Sequence, residues 1–380
     1  MKYPKFLQEN GAIAFVAPSF GCAIEPYRSG FENAQAKWRK QGFSLEFGPN
    51  CYAADGIGIS STPRKCGEEL TEYYCNTTSD CIISCGGGEL MCEILDYVNF
   101  DRIKKEVPKW YMGYSDNTNM TFLLTTLCDT AAIYGPCAAA FGMEPWHSSL
   151  EDAMALLQGQ KLTMYGYDKW ERQSLKDEEH PYMPYHLTEA SVIKYILPDG
   201  RTNVESFVSN QKASLDSRDA MTEEADKGNK ENNGLGMDVI EFKGRLLGGC
   251  MDCLVNLIGT RYDEVTEFTE KYREDGILWF LESCDLNLMS IRRAMWQMEH
   301  AGWFRHCKGF LIGRPRVGMG EKEFGIDHYQ AVCEMLRQYQ VPVLMDVDIG
   351  HLPPMMPLIC GSMARVVSDG NSYRVEMELK

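Results

Sequence analysis

Three short runs of apolar residues each end on a polar side chain, and in chain order they supply Ser115, Glu282 and His351. A hydroxyl, a carboxylate and an imidazole are the parts of a relay in which the imidazole takes the hydroxyl proton and the carboxylate steadies the resulting cation. The chemistry this trio suggests is acyl transfer through serine. Singly, each residue has a plainer use: a serine before a helix caps it, a glutamate past a strand faces solvent, and a loop histidine bonds to its neighbours. Six further histidines (His147, His180, His186, His300, His306 and His328) are present, and spacing alone does not select His351 among them. Only the combination favours catalysis.

Positioning such a trio requires strands that end at a common edge. Trp110-Tyr-Met-Gly-Tyr-Ser115 reads as a strand turning sharply into the helix-like run Asn119 to Leu127, which would leave Ser115 at a helix N-terminus with unpaired N–H groups. Gly276-Ile-Leu-Trp-Phe-Leu281 is a buried-strand run stopping on Glu282, and Val341 to Ile349 is another, followed by Gly350-His351. In open α/β sheets the carboxyl ends of strands are where ligands bind.

Around these segments the chain alternates strand-like and helix-like runs. Gly11 to Ala17 and Cys81 to Ser84 read as strands, and Tyr27 to Gln41 and Leu90 to Val98 as helices; after Leu246 the pattern resumes with helices at Ser290 to Ala301 and Tyr329 to Tyr339 and a strand at Gly309 to Gly313. This alternation predicts a two-domain α/β protein. The first domain, 1–150, is a flavodoxin-like parallel sheet with helices on both faces. A linker covers 151–170, and 171–380 forms a smaller α/β domain with a mixed sheet or barrel that supplies the glutamate and histidine. An acidic insertion spans about 171–243, and its stretch from Thr222 to Asn233, poor in apolar residues, reads as a solvated loop or mobile insertion.

The 380 residues carry a formal net charge of −16, with 44% hydrophobic and 24% charged residues. Such a balance argues against nucleic acid or an anionic membrane as partner, because phosphate binding needs clustered Lys and Arg. A small ligand is expected instead. Neither a signal-peptide pattern nor a membrane-length apolar run is present, so the expected location is the cytoplasm. The fifteen cysteines, many in apolar runs, suit a reducing compartment in which free thiols pack as small hydrophobes. Cys250-Met-Asp-Cys253 could be half a zinc site or a redox pair, but no second pair accompanies it, and thiols packed in a helix are the better reading. Gly86-Gly87-Gly88 has the layout of a phosphate-cradling loop without the spacing of a dinucleotide or P-loop motif; such a loop can also bring a backbone N–H close to a reacting carbonyl.

Taken together, the chain resembles the LD-carboxypeptidase family of serine peptidases, which includes muramoyl-tetrapeptide carboxypeptidases and microcin C self-immunity peptidases. The matching pieces are Ala17-Pro18-Ser19, Gly86-Gly87, Gly113-Tyr114-Ser115-Asp116 with Thr118, Tyr134-Gly135-Pro136, Gly244-Arg245-Leu246-Leu247-Gly248-Gly249, Ile277 to Glu282, Gly309 to Gly313 and Gly350-His351. The resemblance implies Ser115 as nucleophile, His351 as base, Glu282 as its orienting acid, and an oxyanion hole from the N–H groups of Gly87 and Asp116. It implies no cofactor or metal, and a homodimer. Substrate contacts are expected at Gly88 and Trp170. Where the family has an aromatic or small polar residue after the paired glycines, this chain has Gly88-Glu89.

Three functions follow as expectations. The first is a cytoplasmic carboxypeptidase cleaving the L,D bond of murein tetrapeptides. The second is a related hydrolase of aminoacyl or peptidyl nucleotides, for which Trp170 would stack on the base. The third, from another class, is a non-catalytic protein whose two lobes close on a small ligand.

Overall fold

The computed structural model describes residues 1–207 and 239–380. The stretch from 222 to 233, expected to be a solvated loop, lies outside the described residues. The first half contributes β1 (Ala12–Val16), β2 (Ser44–Phe47), β3 (Cys81–Ser84), β4 (Trp110–Gly113), β5 (Ala132–Tyr134) and β6 (Thr163–Tyr165). After these come β7 (Lys169–Trp170), β8 (Glu189–Ala190), β9 (Lys194–Ile196), β10 (Ile240–Cys250), β11 (Ile277–Glu282), β12 (Cys307–Gly313), β13 (Val343–Val347), β14 (Leu358–Cys360), β15 (Met363–Ser368) and β16 (Tyr373–Glu378).

One sheet has the order β14-β5-β4-β3-β1-β2, parallel except for β14. Strands β1 to β5 therefore follow the flavodoxin-like order, whose ligand crevice opens where the chain reverses direction between β1 and β3. The other sheet has the order β6-β16-β15-β10-β11-β12-β13-β9, with a parallel centre from β10 to β13 and antiparallel margins. Strands β3, β4 and β11 are buried along their whole length, as their unbroken apolar runs require.

Helices cover the sheets through apolar faces set by ordinary signals. Tyr27–Lys40 buries Phe31, Ala34 and Trp38 on one stripe and carries Lys37, Arg39 and Lys40 in its last turn, where cations suit the dipole. Pro63–Cys75 starts behind Thr62, whose side chain accepts from Lys65 N–H, with Pro63 at the first helical position. His328–Leu336 begins with a full capping box between Asp327 and Gln330. All nine residues of Thr118–Thr126 are buried, and its contacts with β5, β10 and β14 place it between the two sheets. Leu90 to Val98, expected as an α-helix, forms the tighter 3₁₀ helix Met91–Tyr97.

Two connections differ from the expected domain plan. The stretch 151–170 is not bare linker: the helix Ser148–Leu157 buries Leu150, Ala153, Leu156 and Leu157, while β6 pairs with β16 in the second sheet. Within 171–207, β9 pairs with β13. Near the other end of the chain, β14 returns to the first sheet and pairs with β5, so the two sheets exchange strands. Strands of two or three residues are too short to display alternation, which is why the sequence shows none of these pairings.

Candidate active site

Ser115 stands on the turn between β4 and the central helix. Tyr114 is still extended, Ser115 itself has φ of 62°, and the 3₁₀ turn Ser115–Asn117 runs straight into Thr118–Thr126. A non-glycine residue in the left-handed region costs energy and is held by its surroundings. Here Tyr111 donates to Asn117 Oδ1, and Asn117 Nδ2 donates to the carbonyls of Gly86 (2.8 Å) and Tyr114 (3.1 Å). The turn and the glycine loop are thereby tied together.

Glu282 and His351 reach this turn from the second sheet. Glu282 is the last residue of β11 and fully buried; His351 follows β13 by way of Gly350, whose φ is 109°. A Cβ on Gly350 would lie 2.5 Å from Glu282 Oε2, so glycine is what permits the loop to pass the carboxylate. At the end of β10, a Cβ on Gly249 would lie 2.7 Å from Thr118 Cγ2, and Cys250 N–H donates to Thr118 Oγ1 at 3.0 Å. That contact seats the end of β10 against the helix that follows Ser115.

The resulting geometry is a line of hydrogen bonds. Ser115 Oγ and His351 Nε2 are 2.8 Å apart, and His351 Nδ1 and Glu282 Oε2 are 2.8 Å apart. Tyr134, at the end of β5, donates its hydroxyl to Glu282 Oε1 at 2.6 Å and accepts from Ser115 N–H at 3.4 Å. Burial alone would raise the Glu282 pKa, but the imidazole and the Tyr134 bond bring it below the ordinary value. Burial works the other way on His351, and the adjoining carboxylate overcomes it, holding the imidazole pKa above its usual range. The pair favours Glu282 as carboxylate and stabilises the charged form of His351, the imidazolium that proton transfer from Ser115 creates.

Gly87 lies directly against the serine, since a Cβ there would come 3.1 Å from Ser115 Cβ and 3.2 Å from its Oγ. Its carbonyl accepts from Phe20 N–H at 2.8 Å, and its own N–H has no acceptor among the described residues. Gly88 is pinned on Ser19, whose Oγ would lie 2.0 Å from a Cβ added there. Asp116 turns its side chain away from solvent, accepting from Ser19 Oγ (2.5 Å) and Met91 N–H (2.8 Å); burial pushes its carboxyl pKa up to about 6. Ser115, Asp116, Gly87, Gly88 and His351 all line one cavity of about 680 Å³ at the crevice between β1 and β3.

Trp170 is not brought to this cavity. It is 4% exposed, does not line the pocket, and lies under the guanidinium groups of Arg314 and Arg172, 5.2 and 4.9 Å from its ring centroid. Both cations are within cation–π reach of its ring. The exposed aromatics on the pocket wall are Phe20 and Tyr27, which follow β1. Tyr134 is visible in the sequence only as part of a short motif; nothing local announces that its hydroxyl meets Glu282.

Cys250 and Cys253 are free thiols, and burial pushes the Cys250 thiol well up. The hydrogen bond with Cys250 lowers the Cys253 value, but burial and the nearby carboxylates outweigh it and raise that thiol to about 11. Thiols so shifted are poor nucleophiles. Cys250 closes β10, and Cys253 sits in the helix Met251–Leu257. Donor atoms of Cys250, Glu282 and His351 lie within 4.8 Å of one another, so a metal ion bound there would take the same atoms that connect to Ser115.

Comparison with known proteins agrees with this architecture. The LD-carboxypeptidase N-terminal domain matches residues 13–135 and the LD-carboxypeptidase C-terminal domain matches residues 243–366. A Vibrio cholerae chain named, by inference, as a carboxypeptidase is 22% identical over 99% of this chain and 98% of its own length. The microcin C7 self-immunity protein MccF of Escherichia coli is 22% identical over 97% of this chain and 94% of its own. Among solved structures, MccF in complex with glutamyl sulfamoyl guanosine superposes with a TM-score of 0.73 at 20% identity, covering 99% of both chains. An MccF-like protein from Bacillus anthracis gives 0.72 at 19% identity over 100% of both.

Proposed function

The chain belongs to the LD-carboxypeptidase family of serine peptidases, and on that premise we propose that it is a carboxypeptidase that hydrolyses the bond between an L-centre and a terminal D-amino acid in murein tetrapeptides. The observation that carries this reading is the unbroken line of hydrogen bonds from Ser115 through His351 to Glu282 beside an open cavity.

In this reading Ser115 Oγ attacks the scissile carbonyl while His351 Nε2 takes its proton, and Glu282 holds the Nδ1–H and stabilises the imidazolium. The N–H groups of Gly87 and Asp116 receive the oxyanion. His351 then protonates the leaving amine, leaving an acyl ester on Ser115. Water, giving its proton to the same nitrogen, hydrolyses that ester and restores the hydroxyl. No helix among the described residues is long and apolar enough to cross a membrane, which is compatible with work on soluble peptides in the cytoplasm. A homodimer is part of the proposal and is checked by light scattering.

The test is mass spectrometry of products from the wild type and Ser115→Ala, each incubated with murein tetrapeptides and aminoacyl sulfamoyl nucleotides. Release of terminal D-alanine by the wild type alone supports the carboxypeptidase. A wild type inert on the tetrapeptides removes it.

A second reading, hydrolysis of aminoacyl or peptidyl nucleotides, is favoured by the solved relatives that hold glutamyl sulfamoyl guanosine and aspartyl sulfamoyl adenosine. Phe20 and Tyr27, 43% and 52% exposed on the pocket wall, supply planar surfaces for a base in place of Trp170. Release of an amino acid from the nucleotide by the wild type alone supports it.

A further inference from the structure

Beside the Ser115–His351 bond lies a cluster of donor atoms that the proposed hydrolysis uses only in part. One ligand atom each from Cys250, Glu282 and His351 lies within 4.8 Å of the other two. Cys250 Sγ bonds to the Glu282 carboxylate, and the imidazole nitrogen facing that carboxylate is Nδ1, 2.8 Å from Oε2. Hydrolysis needs the carboxylate and the imidazole, and gives the thiol no part.

Sulfur, imidazole nitrogen and carboxylate oxygen together are a donor set suited to zinc. Tetrahedral zinc, with bonds of about 2.0–2.3 Å, places its donors about 3.3–3.8 Å apart, so side-chain shifts of about an ångström seat the ion. A supporting shell is already in place, of the kind that orients metal ligands. Tyr134 donates to Glu282 Oε1 at 2.6 Å, leaving Oε2 for the ion, and Asp252 Oδ2 lies 3.4 Å from Cys250 Sγ. Entry is open, because Cys250 and His351 both line the cavity in front of Ser115. Glu89, Asp116, Asp252 and Asp285 line it too, and no lysine or arginine is among the described lining residues. Such a wall of carboxyl groups concentrates cations. Burial keeps the Cys250 thiol protonated in the metal-free protein, but a metal ion deprotonates a coordinating thiol outright.

We propose that this cluster is an inhibitory zinc site, at which Zn²⁺ held by Cys250 Sγ, Glu282 Oε2 and His351 Nδ1 switches the hydrolase off. The thiol proton leaves to solvent. The ion takes the Nδ1 position of the neutral imidazole, so the ring proton passes to Nε2. That nitrogen then donates to Ser115 Oγ instead of accepting from it, and the serine has lost its base. Inhibition rests on the hydrolase reading; binding of the ion does not.

The test uses the full chain, reduced and stripped of metal, titrated first with Co²⁺ as a coloured stand-in and then with Zn²⁺. One equivalent of Co²⁺ is expected to give a thiolate-to-cobalt absorption band that Zn²⁺ displaces. The band survives in Cys253→Ala, and Cys250→Ser and His351→Ala each weaken binding by about a hundredfold or more. No stoichiometric band in the wild type, or undiminished binding in either ligand variant, overturns the site. On a peptide that the wild type cleaves, saturating zinc is expected to lower the rate at least about tenfold, and a chelator restores it. In Cys250→Ser the same zinc concentration leaves that variant's own rate unchanged. Full wild-type activity with zinc bound overturns the inhibitory role and leaves the peptidase reading intact. If the wild type cleaves no peptide, the peptidase reading fails separately, and the cobalt titration alone decides for or against the metal site.

Discussion

The hydroxyl of Tyr134 donates to Glu282 Oε1 at 2.6 Å, so a strand of the first sheet holds the acid that ends a strand of the second. Both residues are fully buried, and the other oxygen of Glu282 is taken by His351. Tyr134 is therefore a positioning residue: it fixes one carboxylate oxygen and leaves the second to face the imidazole. Tyr134→Phe removes a partner from a buried carboxylate, which costs about 1–3 kcal/mol. The expected outcome is a loss of roughly that size in urea unfolding, with kcat reduced about tenfold and KM nearly unchanged.

Ser115 occupies the left-handed region at φ 62°. Ser115→Ala removes the proposed nucleophile without changing that backbone, and activity is expected to drop by at least about 10³-fold with the thermal midpoint retained. Ser115→Gly, equally inactive, also relieves the strain, about 1 kcal/mol or more. It is expected to melt above Ser115→Ala by differential scanning calorimetry.

The pH profile follows from the raised His351 pKa. Catalysis needs the neutral imidazole as base, and a group with a raised pKa becomes neutral only as pH climbs through that higher value. The acid limb of kcat/KM is therefore expected to have its midpoint above the unperturbed ~6.5. Glu282→Gln removes the carboxylate that raises it, so the midpoint moves toward acid even as the rate falls. A wild-type midpoint at or below that unperturbed value would count against His351 as the base.

Gly350 passes so close to Glu282 that a methyl group would sit 2.5 Å from Oε2 and 2.9 Å from Cβ, and its φ of 109° is unfavourable for any other residue. Gly350→Ala is expected to push the His351 loop away and cut kcat by about a hundredfold or more, an effect of the size that small misplacements of reacting groups produce. Circular dichroism should show the fold retained, which separates displacement of the loop from unfolding.

Trp170 packs in the interior beneath Arg314 and Arg172 rather than in the pocket. Trp170→Ala is expected to lower stability by about 3–5 kcal/mol while KM for any accepted substrate stays within about twofold. A large KM effect in a stable variant would return Trp170 to the substrate site.

The features legible in the amino-acid sequence share a physical origin. Strands buried on both faces must be continuous apolar runs, so β3, β4, β11 and β13 are legible, and with them the polar residues at or just past their ends: Ser115, Glu282 and His351. The glycine loop after β3 and the parallel first sheet are legible for the same reason. Single-sequence patterning is silent where few residues pair with distant partners. That is the case for β6, β9 and β14, each three residues long, and for the 3₁₀ conformation of Met91–Tyr97, whose composition is that of any helix.

The sequence by itself thus determined the alternating α/β elements, their apolar faces and the three polar residues at their edges, because secondary structure and burial follow from local spacing. Tertiary structure alone decided that those edges meet. Ser115 and His351 are separated by 236 residues, and their 2.8 Å approach depends on Gly249 admitting Thr118, Gly350 clearing Glu282, and Tyr134 crossing from one sheet to the other. Each of these is a contact between side chains and backbone far apart in the chain, governed by close packing, and no local pattern records it. The same packing took Trp170 inside.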